Sequence, residues 1–118
     1  MSIGTAKAKI LSALPGMKID CIDDTTTIHP EGLLLSFEGM DKEGFAKNGY
    51  LFGLYVSKKI LNKNTASIYS ILDDIDEKIL IEARKGPYGD EISLRSIRPV
   101  GFDNGILEYR LEIRVVEI

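Results

Sequence analysis

The chain contains no tryptophan, one cysteine and one histidine. A single cysteine, Cys21, excludes an intrachain disulfide, and a single histidine, His29, excludes the paired His/Cys sets that hold structural zinc. Charge of one sign is scarce too: 15 basic against 18 acidic residues leave −3 at pH 7, spread along the chain. Nucleic acid and anionic lipid both select clustered Lys and Arg, so neither nucleic-acid specificity nor membrane binding is expected. No apolar run approaches the roughly 18 residues of a membrane span, and the first residues lack a signal-peptide apolar core. A cytoplasmically made, soluble single domain is expected. What the chain does have is 118 residues, 44% apolar and 28% charged, with 11 glycines and 4 prolines. That composition fits one globular domain spanning 1–118. At this length folding should bury roughly 65% of the unfolded chain's surface, enough for a core without covalent staples.

Periodicity supplies the elements. Ile3, Ile10, Leu11 and Leu14, with Ala6 and Ala13, form one apolar stripe of a short helix; Ser2 is its expected N-cap and Pro15-Gly16 its end. Lys7 and Lys9 fall off the stripe and should face water. A brief strand follows at 17–22, with Ile19 and Cys21 on one face. Asp23, Asp24, Thr25, Thr26 and Thr27 read as a polar loop, and Pro30 precedes a strand at 32–40. Leu33, Leu34 and Leu35 make that strand apolar on both faces, as expected of a strand covered on both sides or of one covered by a neighbouring subunit. Residues 39–49, with three glycines and four charges, read as a long hairpin loop, and 50–56 as the third strand.

Residues 58–64 read as a polar connection, and Thr65 as the N-cap of a main helix running to about Arg84. Ile68, Leu72, Ile75 and Ile79 mark its core stripe. Asp73, Asp74, Asp76 and Glu77 take the other face, and Lys78, Arg84 and Lys85 come late, where cations suit the dipole. Gly86, Pro87, Tyr88, Gly89 and Asp90 break the helix. Ile92 and Leu94 begin a strand, and a turn is expected at 101–105. In the last strand Leu107, Tyr109, Leu111, Ile113 and Val115 alternate with Glu108, Arg110, Glu112 and Arg114, the period-2 signature of a half-buried antiparallel strand. The order α-β-β-β-α-β-β predicts an α+β domain, a mainly antiparallel sheet with helices packed on one face. Leu72, Ile75, Ile79, Tyr109, Leu111 and Ile113 should share the core.

Catalytic chemistry finds little footing. The acidic run at 73–77 sits on a helix, splayed around it, without the glycine turn that a calcium loop uses. His29 lacks a nearby nucleophile motif, and Cys21 lacks a group that would lower its pKa. The glycine-bearing segments 39–49 and 86–89 match neither the Walker nor the dinucleotide pattern. Catalytic, cofactor and metal sites are therefore expected to be none. A binding role is expected instead for the 39–49 segment, with Lys42, Glu43, Phe45 and Lys47 at a subunit or partner contact. The last strand runs to Ile118, the end of the chain, and is expected at a sheet edge, open to a partner strand.

The helix at 3–14, the strand after Pro30, the strand at 50–56, the helix opened by Thr65-Ala66-Ser67-Ile68-Tyr69-Ser70-Ile71-Leu72-Asp73, and the closing hairpin at 92–116, where Ile97-Arg98-Pro99 precedes the turn, follow in a familiar order. In this order the chain resembles the small tail-completion proteins of long-tailed bacteriophages, namely the tail terminators of lambda-like phages and the minor tail proteins of Mu-like prophages. The resemblance covers nearly the full chain and rests on no diagnostic residue. It implies a structural role: a homo-oligomeric ring, expected to be a hexamer, that caps the tail tube, ends its polymerisation and offers a surface to the head connector. Self, tail-tube and head-connector proteins are the partners it implies, with no cofactor, in the host cytoplasm during assembly and then in the virion tail. A small non-catalytic accessory or binding domain of a toxin or secretion system is the alternative. A hydrolase using His29 with Asp23 or Asp24 is a third reading.

Overall fold

Side chains that alternate along a strand need one apolar cover, and the chain supplies it with two helices. The computed structural model describes residues 2–22, 31–43, 47–60, 65–85 and 91–116, with backbone alone at 43 and 47. Helix α1 (Ile3–Ala13) and helix α2 (Ala66–Lys85) accompany strands β1 (Ile19–Cys21), β2 (Gly32–Glu43), β3 (Lys47–Lys59), β4 (Ile92–Asp103) and β5 (Ile106–Val116). The strands form one sheet in the order β1-β2-β3-β5-β4. Short β1 runs parallel to β2, and every other pairing is antiparallel. This is the expected α+β class.

Both helices lie on one face. Tyr50, Phe52, Leu54 and Val56 of β3 and Leu111, Ile113 and Val115 of β5 point into it and are buried with Leu35, Ile92, Ala6, Ile10, Ile68, Leu72, Ile75 and Ile79. The expected core therefore forms, with Tyr109 at its margin, partly buried. Ser2 caps α1, its Oγ accepting a hydrogen bond from the Thr5 N–H at 3.1 Å. Lys9 reaches across to an ion pair with Glu91, so it does more than face water. Leu33 and Leu35 turn toward the helices, while Leu34 lies half-buried on the opposite face between its register partners Asp20 and Tyr55.

Four expectations are corrected. Residues 39–49 are not a long loop: β2 continues to Glu43 and β3 begins at Lys47, paired through Asp41 with Gly49 and Lys42 with Asn48. Their charges and glycines suit a strand because every second side chain there projects from the helix-free face into water. Likewise β3 runs on to Lys59 instead of ending at 56, and Ile60 is held by an N–H···O bond to Gly105. Strand β5 is not at an edge but central, between β3 and β4; being last in the chain does not decide place in a sheet. The turn of the closing hairpin is shorter than 101–105. It consists of Asn104 and Gly105, whose φ values of 52° and 77° are the left-handed pair of a type I′ turn.

Register places the two hairpin connections at opposite ends of the sheet, since Gly49 pairs Val116 while Lys59 pairs Ile106. The molecule is accordingly long, 50 × 29 × 24 Å, with a radius of gyration of 14.7 Å; a compact domain of this length has about 13.5 Å.

Candidate functional site

Among the described residues no helix covers the second face of the sheet, and charge fills it. Strand β2 has a bulge between Phe37 and Gly39, and Glu38 reaches from it across β3 to β5. Its carboxylate accepts from Arg110 Nε at 3.2 Å and Nη2 at 3.0 Å, and from the Tyr55 hydroxyl at 3.3 Å. Arg114 Nη2 donates to Asp41 Oδ1 at 2.8 Å in the same manner. Ser57 and Ser96 hydroxyls donate to Glu108 and Glu112 at 2.9 and 3.3 Å. The paired carboxylate of Glu38 raises the Arg110 pKa beyond its ordinary value.

These cross-strand pairs need room, and glycine provides it. A Cβ on Gly53 would overlap the Glu38 carboxylate, and one on Gly49 would overlap Asp41 and Arg114. The face carries a row of cross-strand ion pairs and hydrogen bonds.

The helix side is different. Its apolar side chains outrun their cover at both lateral margins. On β4, Ile97 and Phe102 are exposed, as is Val100 at the register shift after Pro99; on β2, beyond the reach of β1, Phe37 and Met40 are exposed. Phe37 meets buried Phe52 edge-on at 5.5 Å. Tyr69 of α2 stands edge-on to Tyr109 of β5 at 6.2 Å. The hydrogen bond from Tyr109 lowers the Tyr69 phenol pKa, with Thr65 adding to it, and the same bond raises that of Tyr109.

A cavity of about 650 Å³ opens between α2 and the β2–β3 pair. Leu33, Val56 and Ile71 line its apolar part, and Lys18, Lys58, Glu31 and Asp74 its rim. Asp74 is paired with Lys78 at 2.9 Å, and Glu31 accepts the Lys59 N–H at 3.0 Å.

Of the expected contact residues, Lys42 lies on β2 near its end, its Nζ 2.6 Å from Asn48 Oδ1. Glu43 and Lys47 close the β2–β3 register opposite one another. Phe45 lies outside the described residues, as do His29, Asp23, Asp24, Pro30, residues 86–90 and Ile118. Cys21 is buried. Along α2 the acidic run alternates between exposed Asp73, Asp76 and Glu77 and half-buried Asp74. Among the described residues no group of three or more His, Cys, Asp or Glu is gathered as for a metal ion, and no helix is long and apolar enough to cross a membrane.

The exposed apolar margins were not foreseen in the sequence. The strand pattern places Ile97 and Phe102 on an apolar face, and only the position of α2 leaves that face uncovered. No protein-family model matches the chain, and no curated protein matches it.

Proposed function

We propose that the protein is a structural phage or prophage tail subunit that caps the tail tube as a homo-oligomeric ring, ends tail polymerisation and helps join head to tail. The observation that carries this reading is the pair of exposed apolar margins, Ile97, Val100 and Phe102 on one side of the sheet and Phe37 and Met40 on the other. A closed ring uses two unlike patches per subunit, one for each neighbour. On this reading Lys42, Glu43, Phe45 and Lys47 contact the tail tube or a neighbouring subunit. Another surface of the ring serves the head connector. Recognition by shape and charge requires no cofactor and no catalytic step, and the protein would act in the host cytoplasm before residing in the virion tail. The resemblance in element order supports the same reading.

The test is native mass spectrometry with negative-stain imaging of the purified protein and of tail tubes mixed with it. Rings of one stoichiometry, hexameric on this reading, either free or at tube ends, are the expected result. A second reading, a small accessory or binding domain of a toxin or secretion system, is favoured by the cavity beside Leu33, Val56 and Ile71. It predicts a protein that leaves tube ends bare and takes up a small ligand.

A further inference from the structure

The two margins differ in sign as well as position. Strand β4 carries exposed Arg95 and Arg98 against one acid, Asp103, whereas the β1–β2 side carries Asp20, Glu38 and Asp41 against one base, Lys42. We propose that neighbouring copies of this chain dock edge to edge, head to tail. The β4 margin of one copy packs Ile97, Val100 and Phe102 against Phe37 and Met40 of the next. The proposal rests on the ring reading only for closure of the assembly; the docking itself needs two copies.

Three observations fit a second copy as the occupant. Both margins expose large apolar side chains, Phe102 at 60% and Met40 at 50%, more than an isolated surface residue would need to explain. Arg95 and Arg98 would approach carboxylates that already accept from Arg110 and Arg114; a carboxylate has about four lone-pair sites and can take a second cation. Unlike patches on opposite edges cannot pair isologously without leaving one of each exposed, which makes the contact heterologous.

The backbone argues for side-chain packing over an added strand. Pro99 and the register shifts at 94–96 and 99–101 interrupt β4, and the shift at 37–39 interrupts β2. Such features blunt strand-on-strand addition. Charged residues at the rim and apolar residues at the centre are then the usual interface arrangement.

The experiment is sedimentation velocity on the full chain, as wild type, Phe102→Asp, Met40→Asp, and an equal mixture of the two variants. Wild type should associate as concentration rises. Each variant alone should remain monomeric, with association weakened at least about 30-fold, the scale of a hot-spot loss. The mixture should form a one-to-one dimer, because Met40→Asp keeps an intact β4 margin and Phe102→Asp an intact β2 margin. Circular dichroism checks folding, and Val100→Asp and Phe37→Asp replace any variant that unfolds. Wild type that stays monomeric to millimolar concentration, variants that associate like wild type, or a mixture that stays monomeric would each overturn the docking. Rings that form equally well with Phe102→Asp would overturn the docking and leave the tail-cap reading standing. Edge docking with tube ends left uncapped would do the reverse.

Discussion

Arg110 on β5 grips Glu38 on β2 with two hydrogen bonds across the full width of β3, and the span is possible because Gly53 lies beneath it. Both side chains are about one-quarter exposed, so the pair contributes on the order of 1 kcal/mol after solvent screening. Gly53→Ala should displace Glu38 and cost about that amount in urea denaturation. In a Glu38→Ala background the same change should be neutral or stabilising, since alanine restricts the unfolded chain. Equal costs in both backgrounds would show that Glu38 does not lie over Gly53.

Leu111 of β5 and Ile75 of α2 are fully buried in the layer between sheet and helices. Leu111→Ala or Ile75→Ala should each lose about 2–5 kcal/mol of unfolding free energy. Ile81→Ala, on the exposed face of the same helix, should stay within about 0.5 kcal/mol. A small effect at Leu111 would mean that the sheet's apolar face is assigned to the wrong side.

The β4–β5 turn depends on Gly105, whose φ of 77° is left-handed. Gly105→Ala should cost about 1–2 kcal/mol, the penalty of that conformation for an L side chain. Thermal unfolding monitored by circular dichroism measures it. An unchanged midpoint would exclude the type I′ geometry.

Tyr69 should lose its proton before Tyr109. The bond from Tyr109 favours the Tyr69 phenolate, whereas the Tyr109 proton is held by that same bond. As pH rises, Tyr69 should therefore titrate below the ordinary tyrosine range and Tyr109 above it, read by NMR of the ring carbons. Tyr109→Phe should return Tyr69 upward toward its ordinary value. Identical titration of Tyr69 in wild type and variant would contradict the hydrogen bond.

Much of this architecture is legible in the residues. The strict alternation from Leu107 to Val115 fixes which face of β5 meets the helices, and the Ile68, Leu72, Ile75, Ile79 stripe fixes the face of α2. Gly39, Asp41 and Gly49 mislead because glycine and charge look alike in a loop and on the wet face of a strand. The Glu38–Arg110 pair is 72 residues apart in sequence, and the bulge after Phe37 shifts the alternation so that Met40, not Asp41, shares the face of Phe37, which pattern alone does not reveal. A glycine in the middle of a strand, as at Gly53, is the one local hint of such a close approach. Of the expected contact residues, Lys42, Glu43 and Lys47 fall at the end of the β2–β3 hairpin. The exposed margins at Phe102 and Met40 depend on where helix cover stops, which is a property of packing and not of periodicity.

Tail length, measured by electron microscopy of particles assembled with and without this protein, tests the central claim most directly. Particles made without it should carry tails that overgrow and fail to join heads, and supplying wild-type protein should restore one fixed length. Tails of normal length, joined to heads in its absence, would contradict the proposed role.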